Sequence, residues 1–180
     1  MRMQTDDLSL ALAAASGDGA AFSVLLERHY DRLFAFCFRL TGSRAEAEDL
    51  TQDICAALPS KLRGFAGNAK VSTWLYRVAV NAAHDRRRRL ATHARAAQGW
   101  GDWEQARTAA NAEDAAQRDW LYTVMAQLAP DLRDTLALVL DDFTHAEAAE
   151  VLGISEGTVS WRISEAKKAL RAIRQAEETA

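Results

Sequence analysis

The stretch STWLYRVAVNAAHDRRRR, residues 72–89, gathers side chains suited to gripping nucleic acid. Asn81 carries both a donor and an acceptor and can hold a base edge. Arg86, Arg87, Arg88 and Arg89 supply cations for phosphates. Trp74 and Tyr76 offer ring faces on which an unstacked base could lie. The same residues admit a plainer reading. The aromatics would then be core, and the arginines a solvated helix end where cations suit the macrodipole.

A second constellation lies in THAEAAEVLGISEGTVSWRISEAKKALR, residues 144–171. Thr144 and Glu147 are spaced as a capping box, Gly153 as a C-cap and Ser155 as the cap of a further helix. Two helices joined by a tight turn form a helix-turn-helix, whose second helix can enter the major groove. An αα-hairpin that only packs would read the same way. Val159, Ile163, Ala166, Leu170 and Ile173 fall on one stripe. Trp161 stands two residues from Val159, about 200° around the helix, so Trp161, Ser164, Lys168 and Arg171 face outward. Glu156 and Glu165 are awkward on a DNA-reading helix. A third constellation, AEAEDLTQDICAAL (45–58), sets Asp49, Gln52 and Asp53 off the apolar face, where they suit a basic protein partner or simply water.

The elements that must position these residues are helical. The 180-residue chain has two prolines and nine glycines, and alanine outweighs β-branched runs, which favours helix. Leu8 to Ala15 reads as a short helix behind Asp6 and Asp7, not a secretion signal. Phe22, Leu25, Leu26, His29, Leu33, Phe36, Cys37 and Leu40 mark a helix that Gly42 ends. Ser43 and Glu46 form a capping box for the next, with Ala47, Leu50, Ile54 and Leu58 inward and Pro59 at or just past its end. Val71, Leu75, Val78 and Ala82 form the stripe of a helix running from about Ser72 to about Arg89. Arg77, Asn81, His84, Asp85 and Arg88 share its polar face. Residues 90–112 lose the period and read as a linker. Trp120, Leu121, Val124 and Leu128 mark another helix. After Pro130, Leu132, Leu136 and Val139 or Leu140 mark the next.

Charge is uneven along the chain. Residues 1–89 hold 13 Lys/Arg against 10 Asp/Glu, and residues 119–180 hold 6 against 11. Hydrophobic content of 49% and charged content of 26% are ordinary for a globular protein. No apolar run reaches membrane-spanning length, so no membrane insertion is expected. Cys37 and Cys55 lack metal-ligand spacing and read as small hydrophobes. His29, His84, His93 and His145 form no ligand pair. No catalytic motif, metal site, cofactor or small-molecule substrate is expected.

AEDLTQDI, FAGNAKVSTWLYRVAVNAAHDRRRR and APDLRDTLALVLDDFTHAEAAEVLGISEGTVSWRISEAKKAL occur in fixed order. Together, over roughly residues 18–174, they resemble the bacterial extracytoplasmic-function (ECF) sigma factors of the sigma-70 family. The resemblance implies an all-α fold of two small helical domains, a sigma-two bundle and a sigma-four helix-turn-helix. It divides the chain into an N-terminal extension (1–17), the sigma-two domain (18–89), the linker (90–112) and the sigma-four domain (113–176). It implies a cytoplasmic transcription initiation factor, not an enzyme, that directs RNA polymerase core to promoter DNA. An anti-sigma factor is the implied controlling partner.

By resemblance, Asp49, Leu50, Gln52 and Asp53 bind core polymerase. Gly67, Asn68 and Lys70 lie in the loop that captures a flipped minus-ten base. Asn81 and Asp85 recognise that element, and Arg77, Arg86, Arg88 and Arg89 suit its phosphates. Ser160, Trp161, Ser164 and Glu165 match base-facing positions for the minus-thirty-five element. Thr158, Arg162, Lys167 and Lys168 suit phosphates, although spacing does not separate the two sets. Acidic linker residues Asp102, Glu104, Glu113 and Asp114 would mimic RNA charge. Ser160 and Glu165 depart from the basic residues common in the family, and Asp142 stands where glycine is usual, a position Asp tolerates. Three rivals remain: a sigma mimic that sequesters an anti-sigma factor without binding promoters, a helix-turn-helix regulator acting alone, and, remotely, a hydrolase.

Overall fold

The computed structural model describes residues 6–97 and 123–179. Four helices form the first unit: α1 (Asp7–Ala15), α2 (Gly19–Thr41), α3 (Arg44–Leu62) and α4 (Val71–Ala97). The second unit holds the helical segment 123–127, α5 (Pro130–Val139), α6 (His145–Leu152) and α7 (Glu156–Thr179). No strand occurs among the described residues.

Local chemistry sets the helix ends. Asp6 and Asp18 accept from the first free amides of α1 and α2. Gly42 closes α2 in the left-handed region, at φ 71°, with its amide on Phe38 O. Thr144 and Glu147 complete their reciprocal box, and Gly153 then turns the chain at φ 66° into the Ser155-capped α7. The Ser43 box is only half made. Ser43 Oγ accepts from the Glu46 amide, but the Ser43 amide goes to Thr41 Oγ1, so Glu46 has nothing to return. Asp142 adopts φ 64°, the left-handed geometry expected of it.

Two helices run further than their patterns predict. Pro59 lies inside α3, which continues to Leu62. Proline removes one helix hydrogen bond, but burial of both Leu58 and Leu62 holds the extra turn. α4 passes Arg89 and reaches Ala97, so the expected linker is helical at its start. The rest of that linker, with Asp102 and Glu104, lies outside the described residues, as do Glu113, Asp114, Trp120 and Leu121.

Leu33, Phe36, Leu40, Leu50 and Ile54 are almost fully buried where α2 meets α3. Each such side chain contributes about 1.5–3 kcal/mol by leaving water. Leu10, Ala11 and Ala14 of α1 build a smaller cluster with Leu25, Leu62, Phe65 and Val71. The larger core does not stop at the first unit. α2 packs on α5 and α4 packs on α6, so Tyr76, Ala79, Val80 and Ala83 share one apolar cluster with Leu136, Leu138, Val151 and Val159. α4 is therefore buried on a second face beyond the predicted stripe. Cys37 is buried in this core, Cys55 is half-buried, and both are free thiols.

Candidate nucleic-acid interface

α4 is packed from both sides, which fixes the direction of its remaining polar face. Arg77, Asn81, His84, Asp85 and Arg88 are all exposed along that face, as their spacing predicts. Asn81 projects into solvent. Arg88 lies 3.4 Å from Asp85 within the helix, and Arg89 Nε donates to Asp85 O. Phosphate-binding capacity thus concentrates at Arg88 and Arg89.

Arg86 behaves differently. Its guanidinium is half-buried and reaches Asp49 at 3.3 Å and Asp53 at 3.9 Å on α3. It braces two helices, which corrects its expected role as a free phosphate ligand. The rings are corrected as well. Tyr76 is buried, tilted against Phe36 and Phe143 at centroid distances of 4.5 and 4.7 Å. Its hydroxyl donates to Asp141, and burial, with that carboxylate beside it, pushes the phenol pKa upward. Trp74 is half-buried against Phe65. Neither ring is a free stacking platform; both were drawn into the core by their apolar area.

The loop before α4 opens differently. Gly67 sits at φ 75°, a conformation that disfavours any side chain. Asn68 and Lys70 are exposed there. Together with Leu8, Asp6 and Asp7 of the α1 end, they line a cleft of about 510 Å³. Asp6 is occupied by the Ser9 amide and hydroxyl, and Asp7 by Arg28 and His29. α1 as a wall of this cleft was not legible in the sequence, since Leu8 and Gly67 meet only in the fold.

On α3, Asp49, Gln52 and Asp53 lie outward and exposed. Leu50, grouped with them by resemblance, faces inward at 1% exposure. Its side chain packs the bundle and offers a partner no surface.

On α7, Val159, Ile163 and Ala166 turn inward, leaving Ser160, Trp161, Ser164, Lys167 and Lys168 exposed. Trp161 is 58% exposed. Ser160 Oγ lies 3.0 Å from His145 Nδ1, which ties the outer face of α7 to the start of α6. Glu165 is held by Lys168 at 2.7 Å. Thr158 is half-buried, its amide and hydroxyl both on Ser155 Oγ. Arg162 is a correction: only 20% of its side chain is exposed, and it lies 3.5 Å from Asp131 of α5 as an ion pair without a hydrogen bond. It joins α7 to α5 and does not present a free cation.

Several charged residues lie between the units, and of these Arg39, Asp134, Asp141 and Glu150 were not singled out by the sequence. Asp134 is 1% exposed and holds His84 Nε2 at 2.8 Å and the Arg87 guanidinium at 2.6 Å. Asp141 takes Arg39 and Tyr76. Lys70 reaches Glu147 at 2.7 Å, and Arg77 donates to Glu150 O. Arg39 inside the apolar run Phe34–Leu40, and Asp134 inside DLRDTLALVL, were the available signals. Among the described residues, no group of three metal-capable side chains exists, and no helix is long and apolar enough to cross a membrane.

Comparison with known proteins gives this geometry its class. The family model for sigma-70 region 2 matches residues 25–93, and that for sigma-70, region 4 matches residues 118–170. The chain is 30% identical over 167 residues to the ECF RNA polymerase sigma factor SigW of Bacillus subtilis, covering 86% of this chain and 89% of the relative. It is 33% identical over 172 residues to SigM of Mycobacterium tuberculosis, covering 94% and 85%. The structure of CnrH in complex with the cytosolic domain of CnrY superposes with TM-score 0.71 at 24% identity, covering 94% of this chain and 97% of that one. Sigma factor RpoE in complex with the anti-sigma factor NepR from Bartonella quintana gives 0.71 at 23%, covering 86% and 96%. The chain belongs to the ECF sigma factors of the sigma-70 family, DNA-binding regulators of transcription.

Proposed function

We propose that the chain directs RNA polymerase core to promoters through three separate surfaces. Asp49, Gln52 and Asp53 on α3 dock on the polymerase. The Gly67–Asn68–Lys70 loop and the α4 residues Arg77, Asn81, Asp85, Arg88 and Arg89 hold the minus-ten element. A base leaving the duplex enters the cleft beside Gly67; unstacking costs a few kcal/mol, which pocket contacts offset. Ser160, Trp161, Ser164 and Glu165 on α7 face minus-thirty-five base edges, with Lys167 and Lys168 toward phosphates. The sigma-two domain is taken as 18–89 and the sigma-four domain as 113–176.

The observation that carries this reading is the exposure of Asn81, Arg88 and Arg89 on a helix buried on its other faces. A rigid backbone there presents one polar row, as base recognition requires. The mechanism is binding energy and not covalent chemistry, so the protein is not an enzyme. Its place is the cytoplasm, with the polymerase. CnrH is seen in complex with the cytosolic domain of CnrY and RpoE in complex with the anti-sigma factor NepR, which supports control of this chain by an anti-sigma factor.

Run-off transcription with purified core polymerase tests the proposal. The parent chain yields promoter-specific transcripts from genomic fragments, and Asn81→Ala lowers them at least about tenfold, equivalent to losing one good base contact. No transcript from any fragment would refute the assignment and favour a protein that only sequesters an anti-sigma factor.

A further inference from the structure

A hydrogen bond joins the two helices of the helix-turn-helix across their outer faces. His145 is the first residue of α6, Ser160 lies in the second turn of α7, and His145 Nδ1 stands 3.0 Å from Ser160 Oγ. Both side chains are exposed, so burial alone does not force the contact. The backbone beneath it is firmly held. Ala148 of α6 and Val159 of α7 are buried in the shared core, the Thr144–Glu147 box sets the first turn of α6, and the Ile154 amide donates to Ala149 O across the turn. Ser160 is also one of the positions proposed above to face base edges, and it stands where the family commonly has a basic residue.

A serine hydroxyl has one proton and two lone pairs, and its partner decides which of them face outward. The unprotonated nitrogen of an imidazole is a stronger base than a hydroxyl oxygen. The favoured bond therefore runs from the Ser160 O–H to His145 Nδ1, with the ring proton on Nε2. The hydroxyl proton is then engaged between the helices, and Ser160 Oγ turns only lone pairs outward. A donor in place of Nδ1 would reverse the bond and point the hydroxyl proton away from α6. We propose that His145 is a positioning residue for promoter recognition: it makes Ser160 an acceptor, so that Ser160 selects a base with an amino group at its major-groove edge. On the strand it touches, that means adenine N6 or cytosine N4, against guanine and thymine, which offer acceptors there. A basic side chain at this position would donate, so the departure at Ser160 inverts what the position asks of the base. The inference rests on the sigma-factor reading above and on Ser160 facing a base within it.

Selection from a promoter library randomised across the minus-thirty-five element, with the full chain assembled on purified core polymerase, tests this. Ser160→Ala first marks the position that Ser160 reads, as the one whose preference relaxes. There the parent favours adenine or cytosine on the order of fivefold, the contribution of one hydrogen bond. His145→Lys offers only donors, and the preference moves to guanine or thymine. His145→Asp sets an acceptor at the reach of Nδ1 without a donor, and the parent preference returns. The two new charges strengthen or weaken binding to all sequences alike, so the identity of the base is the readout and the overall yield is not. In the Ser160→Ala background neither substitution alters the preference at that position. His145 is exposed, so both variants keep the fold, which circular dichroism verifies. A parent preference for guanine or thymine, an unchanged preference in His145→Lys, or a His145→Asp chain that shifts as His145→Lys does would overturn the proposal. So would a Ser160→Ala chain that relaxes no position. A parent holoenzyme that enriches no sequence at all defeats the sigma-factor reading, and the proposal with it. Enrichment by the parent with a preference insensitive to His145 defeats this inference alone.

Discussion

α4 and α7 are both proposed to read DNA, yet they solve opposite problems. α4 is rich in cations, but Arg77 and Arg87 are engaged by carboxylates from the other unit and Arg86 by those of α3. α7 is poor in net positive charge, but its outer face is open, and its nearest polar partners are its own, Lys168 with Glu165, or its neighbour's, Ser160 with His145. Part of the first helix's charge is spent within the fold, and the second helix has little net positive charge with which to attract phosphates. A chain built this way has little means of binding duplex promoters unaided. Its specificity becomes useful once polymerase supplies affinity and geometry.

The largest way to break the comparison is at the shared core. Phe36→Ala removes the ring beneath Tyr76 and costs about 3–5 kcal/mol, lowering the thermal midpoint of both units together in circular dichroism. Ile163→Ala, behind the reading face of α7, costs about 2–5 kcal/mol and loosens mainly the second unit. Two separate transitions in the parent would contradict the continuous core. Next comes charge. Asp134→Ala strands Arg87 and His84; since both partners are partly exposed, the loss is about 2–3 kcal/mol, less than for a fully buried pair. Glu165→Ala on open α7 changes stability by under about 0.5 kcal/mol. Equal losses in denaturant melts would erase the distinction between the two faces.

Specificity sharpens it further. Glu165 can accept from a cytosine amino group and Trp161 can touch a thymine methyl. Glu165→Arg therefore shifts the preferred minus-thirty-five sequence in a selection with holoenzyme; an unchanged preference places Glu165 outside the reading surface. The smallest effect is acid dependence. The Lys70 hydrogen bond, with help from the Thr144 amide and hydroxyl, holds the Glu147 carboxyl at about 2, below its ordinary 4.5. Its contribution is complete above the ordinary value and is lost as pH falls toward about 2. Glu147→Gln should flatten that part of the stability–pH curve; an unaltered acid limb would show the pair to be thermodynamically silent.

What the sequence disclosed follows from where the information sits. The Thr144 box, Gly153, Asp142 and the Val159–Ile163–Ala166 stripe are local, set within a few residues, and each is realised in the fold. The second buried face of α4 is not local. Ala79, Val80 and Ala83 pass for ordinary helix formers until α6 lies against them. Arg87 finds Asp134 across 47 residues, and Arg39 finds Asp141 across 102; no spacing rule reaches that far. Arg86 and Arg162 looked like phosphate ligands because charge was visible and the bracing carboxylates were not. Leu50 entered the docking set through its neighbours in the motif, while its own position on the apolar stripe already marked it as core. The acidic excess of residues 119–180 was legible, and closure onto α4 gives several of those carboxylates a partner.

The two cysteines carry a consequence for signalling. Burial pushes the Cys37 thiol up to about 11 and raises Cys55 as well. At neutral pH both are overwhelmingly protonated, and the protonated thiol is a poor nucleophile toward peroxides and disulfides. An oxidative cue therefore finds no ready trigger in these side chains.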